Sequence, residues 1–152
     1  MPDRKGLLNY TTSIDADKTV TEIVLMLRRH GARSIMTDYN EFGGPSGLSF
    51  KVARGQDLAF QLPANVEQIL RKLIEQADAK QIERRYANQA QAERVAWRIL
   101  KDWVEAQMAI IDTGMVEMEE VFLSYLLVDG EHRFYEQVRD RGYLLPAPRG
   151  DR

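Results

Sequence analysis

The chain has 152 residues, 44% of them apolar and 29% charged, with a formal net charge of -2 and no cysteine. That length suffices for one domain with a buried core, and the apolar fraction excludes a disordered or collagen-like chain. The absence of cysteine removes disulfides, thiolate catalysis and cysteine-ligated zinc. No apolar run is long enough for a membrane span, and MPDRKGLLNY lacks the apolar core of a secretion signal, so the expected compartment is the cytoplasm.

Leu8, Tyr10, Thr12 and Ile14 alternate with Asn9, Thr11 and Ser13, which predicts a first strand. Thr19 and Glu22 have capping-box spacing ahead of Val20, Ile23, Val24 and Leu27, one face of a helix over 18–30. Arg28, Arg29 and His30 occupy its last turn, where cations meet the negative end of the helix dipole, and Gly31 ends it. Three further strands are predicted at 35–39, 48–52 and 58–62, the first two joined by the glycine-rich loop 41–47. A second helix opens at Asn65, with Gln68 three residues on and the stripe Val66, Ile69, Leu70, Leu73, Ile74. A long third helix is expected from Asp78 to Asp112, polar in its first half and apolar on several faces in its second. Such a helix projects toward a partner helix or a second subunit. A fourth helix is expected over 116–127, a turn at Asp129-Gly130, a fifth helix over 131–140 and an extended tail.

The fold class expected is therefore α+β: a small, mostly antiparallel four-stranded sheet with two helices (18–30 and the one opening at Asn65) on one face, then a helical C-terminal segment with one long helix. The expected divisions are 1–77 for the sheet domain, 78–142 for the helical segment, packed on that domain or on another protomer, and 143–152 for a flexible tail.

Charge is unevenly distributed. Residues 71–101 hold eight basic side chains against four acidic ones, whereas 102–131 hold eight acidic and none basic. Arg94, Arg98 and Lys101 are spaced four and three apart, on one helical face, with Arg84, Arg85 and Tyr86 upstream. Cations with a nearby aromatic suit a phosphate backbone and stacked bases, so these six are the candidate nucleic-acid contacts. A solvated face, or one paired with the acidic segment of a neighbouring subunit, is the competing reading.

Other chemistry is weaker. A histidine base needs a nucleophile and an orienting group, and neither His30 nor His132 has a nearby motif that supplies them. Asp15, Asp17 and Asp38 suit a hard cation, but aspartates ahead of a helix also favour its positive end. Glu117, Glu119 and Glu120 have the same explanation at the fourth helix. The loop GGPSG lacks the phosphate-binding pattern and joins two strands. No catalytic residue, metal or cofactor is expected. Trp97 and Trp103, six residues apart, point about 120° from each other on a helix; burial of both is the expectation, and the alternative is that one is core while the other meets a partner.

Two resemblances follow from these segments. The order helix, three strands, helix over 18–76, with GGPSGLSFKV, is similar to the double-stranded-RNA-binding domain, in which a Gly-Pro loop joins the first two strands. That family opens its second helix with a lysine cluster that grips phosphates, where this chain has PANVEQ, charged only at Glu67. The segments TEIVLMLRRHGARSIMTDY, FQLPANVEQILRKL and AWRILKDWVEAQMAIIDTGMVEMEEVFLSYLL resemble a family of small phage- and prophage-encoded proteins with no assigned activity. This likeness implies expression inside a bacterial host and transfers no site residues.

The function expected is a non-enzymatic phage accessory protein that binds DNA or RNA through the basic helical face. The alternative is a protein-interaction or self-assembling protein that binds a host factor or sequesters a small nucleotide signal. A homo-oligomer is expected under either, and no membrane contact.

Overall fold

The structure, a computed structural model, describes residues 6–144; the expectations for residues 1–5 and 145–152, including most of the tail, lie outside the described residues. α1 (Ala16–Arg29) starts a turn's length ahead of the expected Thr19 cap. Asp15 is its N-cap, Asp17 lies in the first turn near the positive dipole end, and Thr19 is buried inside the helix, donating its hydroxyl to the Asp15 carbonyl at 3.3 Å. Glu22 therefore makes no capping box. Val20, Ile23 and Leu27 form the buried face as their spacing predicts. Gly31 turns the chain at φ +99°, a conformation a side chain adopts only with strain.

β1 (Ala32–Tyr39), β2 (Pro45–Ala53) and β3 (Asp57–Gln61) form an antiparallel sheet in the order β1-β2-β3. Ile35 pairs with Phe50 and Phe50 with Phe60, which sets Leu48, Phe50, Val52 and Phe60 on the inner face. The sheet has three strands, not four. Residues 7–14 instead form turns, with Asn9 at φ +64° and the Tyr10 amide donating to the Leu7 carbonyl. A local alternation does not supply the ladder partners a strand requires. Here Gln91 takes the Tyr10 and Thr12 carbonyls at 2.8 and 2.9 Å.

α2 (Val66–Asp78) is capped as predicted, Asn65 accepting the Gln68 amide at 3.2 Å. The expected helix over 78–112 is broken. Lys80 takes φ +60°, Ile82 turns into the core, and a single 3-10 turn spans Arg84–Tyr86. α3 (Gln89–Asp112) then starts afresh, Asn88 accepting the Gln91 amide at 2.9 Å. No Pro or Gly marks the break; the Asn88–Gln91 spacing is its sequence signal.

α3 does not project. With α1 it covers the inner face of the sheet, and Trp97, Leu100, Val104 and Met108 share one core with Ile23, Phe50 and Phe60. α2 lies on the opposite side of α3, where Val66, Leu73 and Ala77 meet Ile82, Ala92 and Val95 in a second cluster. So the second helix on the sheet is α3 and not α2, because α2 has a single apolar stripe and α3 spends it. The expected helix over 116–127 shortens to α4 (Met118–Val121) and a 3-10 turn at Leu123–Tyr125. Met118 and Phe122 are buried, and the chain then turns extended, with the Leu127 amide donating to the Ala59 carbonyl at 2.8 Å. This short segment lies against the outer edge of β3 and folds back through Asp129-Gly130 to α5 (Phe134–Asp140).

Candidate functional site

Arg94, Arg98 and Lys101 share a face of α3, but that face is turned toward α1 and the N-terminal turns. Arg98 donates to Glu22 at 2.6 Å and to the Thr19 hydroxyl at 3.4 Å, and its side chain is 17% exposed. Arg94 donates to the Gln91 side chain at 3.0 Å and lies 3.9 Å from Asp15. Lys101 pairs with Glu105 and lies 3.9 Å from Asp102. Arg84 and Arg85, on the 3-10 turn, pair with Asp78 at 2.7 Å and Glu83 at 2.8 Å. The Arg85 guanidinium also stands 4.8 Å over the Tyr86 ring, which packs edge-on against Tyr10. All five cations are thus engaged with carboxylates of the same chain, and the aromatic is half-buried.

Other cations are unengaged. Among the described residues Arg28, Arg29, Arg33 and Lys51 have no carboxylate within 4 Å, and the first three flank the α1–β1 turn. In the sequence Arg28, Arg29, Arg33 and Arg54 stand only as residues that could widen the 71–101 patch; Arg54 is paired with Glu119 at 2.7 Å.

The sheet is bare on its outer face. Ser34, Met36, Ser49, Lys51, Asp57, Ala59, Leu127 and Gly130 line a hollow of about 510 Å³ there. Met36 is 59% exposed at its edge. Ile35 and Met36 in succession carry the sequence signal, since strict alternation would make one of them polar. A second hollow of about 410 Å³ lies between α2 and α3, floored by Ile99, Trp103 and Tyr125. Trp97 is fully buried and donates Nε1–H to the Pro45 carbonyl at 2.9 Å, whereas Trp103 is half-buried, edge-on to Phe122 and Tyr125.

The glycine-rich loop is a hairpin connection braced from α3. Asn40 accepts the Phe42 and Gly44 amides and donates to Glu93 at 2.9 Å. A Cβ on Gly44 would lie 2.5 Å from the Glu93 carboxylate, so a side chain here would displace the end of Glu93. Asp15 and Asp17 face this loop near Glu93 and Arg94, and Asp38 lies beside Gly47 on the sheet, apart from them. Among the described residues no three acidic or histidine side chains assemble a metal site.

His30 ties two helix ends together. One ring nitrogen contacts the Met26 carbonyl at 2.7 Å and the other contacts Asp112 at 2.8 Å. His132 lies 2.7 Å from Asp129, which also accepts the Glu131 and His132 amides. Those amide bonds, with the His132 ring, lower the Asp129 carboxyl to about 2, and the bond to Asp129 raises His132. The pair is a turn brace on the surface.

Fold and surface together define a small α+β protein whose antiparallel sheet is covered on one face and bare on the other. No helix among the described residues is long and apolar enough to cross a membrane. The chain matches no protein-family model, no curated protein and no solved structure. Neither resemblance drawn from the sequence gains support from these comparisons.

Proposed function

We propose that this chain is a non-enzymatic interaction protein that binds another protein surface through the bare side of its sheet. The observation that supports this is the apolar hollow around Met36, Ala59 and Leu127, on a sheet whose other face is fully used by α1 and α3. Polar groups such as Ser34, Ser49, Lys51 and Asp57 rim this apolar surface, an arrangement that suits a protein contact. The likeness to phage-encoded proteins makes a bacterial cytoplasm the setting of this reading. A photo-reactive residue in place of Met36 tests it in the expressing cell. A discrete protein adduct from position 36, with none from position 67 on α2, supports the reading; no adduct from 36 sinks it.

Nucleic-acid binding is the second reading, favoured by the unengaged Arg28, Arg29 and Arg33. Anisotropy of labelled single-stranded DNA, duplex DNA and RNA at two salt concentrations addresses it. Each phosphate contact adds about 0.7–0.9 to the salt slope. Arg28→Ala with Arg29→Ala should flatten that slope if the corner binds. Arg94→Ala with Arg98→Ala should do so only if the helical face opens its ion pairs.

A further inference from the structure

We infer that β1 pairs antiparallel with β1 of a second copy of the chain, about a two-fold axis at Met36. This rests on the interaction-protein reading and adds a second contact at the edge of the same sheet, with Met36 common to the hollow and to that edge. The sheet order leaves two edges, and Leu126 and Leu127 already lie against the outer edge of β3. Among the described residues nothing hydrogen-bonds to the outer edge of β1. β1 has eight residues and no proline, and an edge of that length left bare is a template for another strand.

Three features select a second copy. A two-fold axis normal to the sheet keeps each face on its own side, so the axis must pass through a residue and not between two. The β1–β2 register is regular from Ser34 to Asp38 and shifts on either side, so the regular stretch is centred on Met36. Pairing about that centre sets Met36 opposite Met36 and Ser34 opposite Asp38, and extends the three-stranded sheet to six strands.

Charge agrees with this arrangement. Arg28, Arg29 and Arg33 flank the start of β1 without carboxylate partners among the described residues, and Asp38 and Glu41 flank its end without cationic ones. Antiparallel self-pairing brings the basic end of each copy to the acidic end of the other. A uniformly acidic or basic peptide would satisfy one end and repel the other. Two exposed apolar side chains of this edge strand, Met36 at 59% and Tyr39 at 61%, lose exposure where the copies meet.

The chain has no cysteine, so a single introduced thiol reports proximity without background. Facing side chains of an antiparallel pair have Cβ atoms ~4.5–5.5 Å apart, near the span of a disulfide. Met36→Cys should form a covalent dimer under mild oxidation, and Glu67→Cys, on α2, should not. In sedimentation velocity of the full chain, Ser34→Asp, which this register sets against Asp38 of the second copy, should weaken the dimer by roughly tenfold or more. Ser34→Asp combined with Asp38→Arg should restore it, which a merely structural role for either residue would not do; circular dichroism confirms that each variant is folded. A monomer at 100 μM overturns the inference, as does a dimer that Met36→Cys fails to cross-link. If the photo-adduct at position 36 is then a different protein, the interaction reading stands without the dimer. If there is no adduct, both fall.

Discussion

Replacing Trp97 with Phe isolates the contact that joins the glycine-rich loop to the core. The indole is fully buried and its Nε1–H is directed at the carbonyl of Pro45, itself buried at the start of β2. Phe removes that donor and leaves the carbonyl unsatisfied, at a cost of about 1–3 kcal/mol. The smaller ring leaves ~40 Å³ unfilled, worth about 1 kcal/mol at ~24 cal/mol per Å³. The combined loss is about 2–4 kcal/mol, or a fall of roughly 5–15 °C in Tm for a chain of this size. Urea unfolding followed by far-UV circular dichroism measures it, with Trp103 fluorescence as an independent probe. In the native protein the Trp97 indole proton should exchange slowly with solvent. A Trp97→Phe variant within about 0.5 kcal/mol of the native protein, or a fast-exchanging indole proton, would refute this account of how the loop is anchored.

Arg98→Ala should cost about 1–2 kcal/mol, between the values for exposed and buried ion pairs, because Glu22 loses a partner at a half-buried position. Arg84→Ala, whose pair with Asp78 is exposed on both sides, should stay within about 0.5 kcal/mol, and equal losses in urea titrations would contradict the burial argument. Gln91→Leu should release the Tyr10 and Thr12 carbonyls and speed amide exchange over residues 7–14, at a cost of about 1–2 kcal/mol; unchanged exchange there would show that those bonds do not hold the segment. The Asp129–His132 brace gives a pH window with two limits. Asp129 is lowered from 3.8 to about 2, so its contribution is present above 3.8 and lost as pH falls toward 2. His132 is raised above 6.5, so its contribution is full below 6.5 and lost as pH climbs through the folded value. An NMR titration should place both shifts in these directions and show the His132 shift reduced in Asp129→Asn, which removes its largest cause.

Much of the fold is legible in the sequence because the signals are local. The α1 stripe, the Asn65 cap of α2 and the alternation of Leu48, Phe50 and Val52 each state a period and a boundary within a dozen residues. The Asn88–Gln91 cap is equally local but lies inside a stretch that reads as continuous helix, and no Pro or Gly marks the break at Lys80. What the tertiary structure alone decided depends on partners far along the chain. Leu8–Ile14 alternates like a strand, yet Gln91, about 80 residues on, takes its carbonyls and holds it as turns. Trp97 and Trp103 are equivalent in sequence, and the position of Pro45 decides which one is sealed. The basic count over 71–101 is a fact of composition, whereas its engagement by Glu22, Asp15 and Glu105 is a fact of packing. A charge is open to a partner only where the fold leaves it without a counter-charge, and among the described residues that is so of Arg28, Arg29 and Arg33, at the start of a sheet edge whose exposure no local pattern encodes.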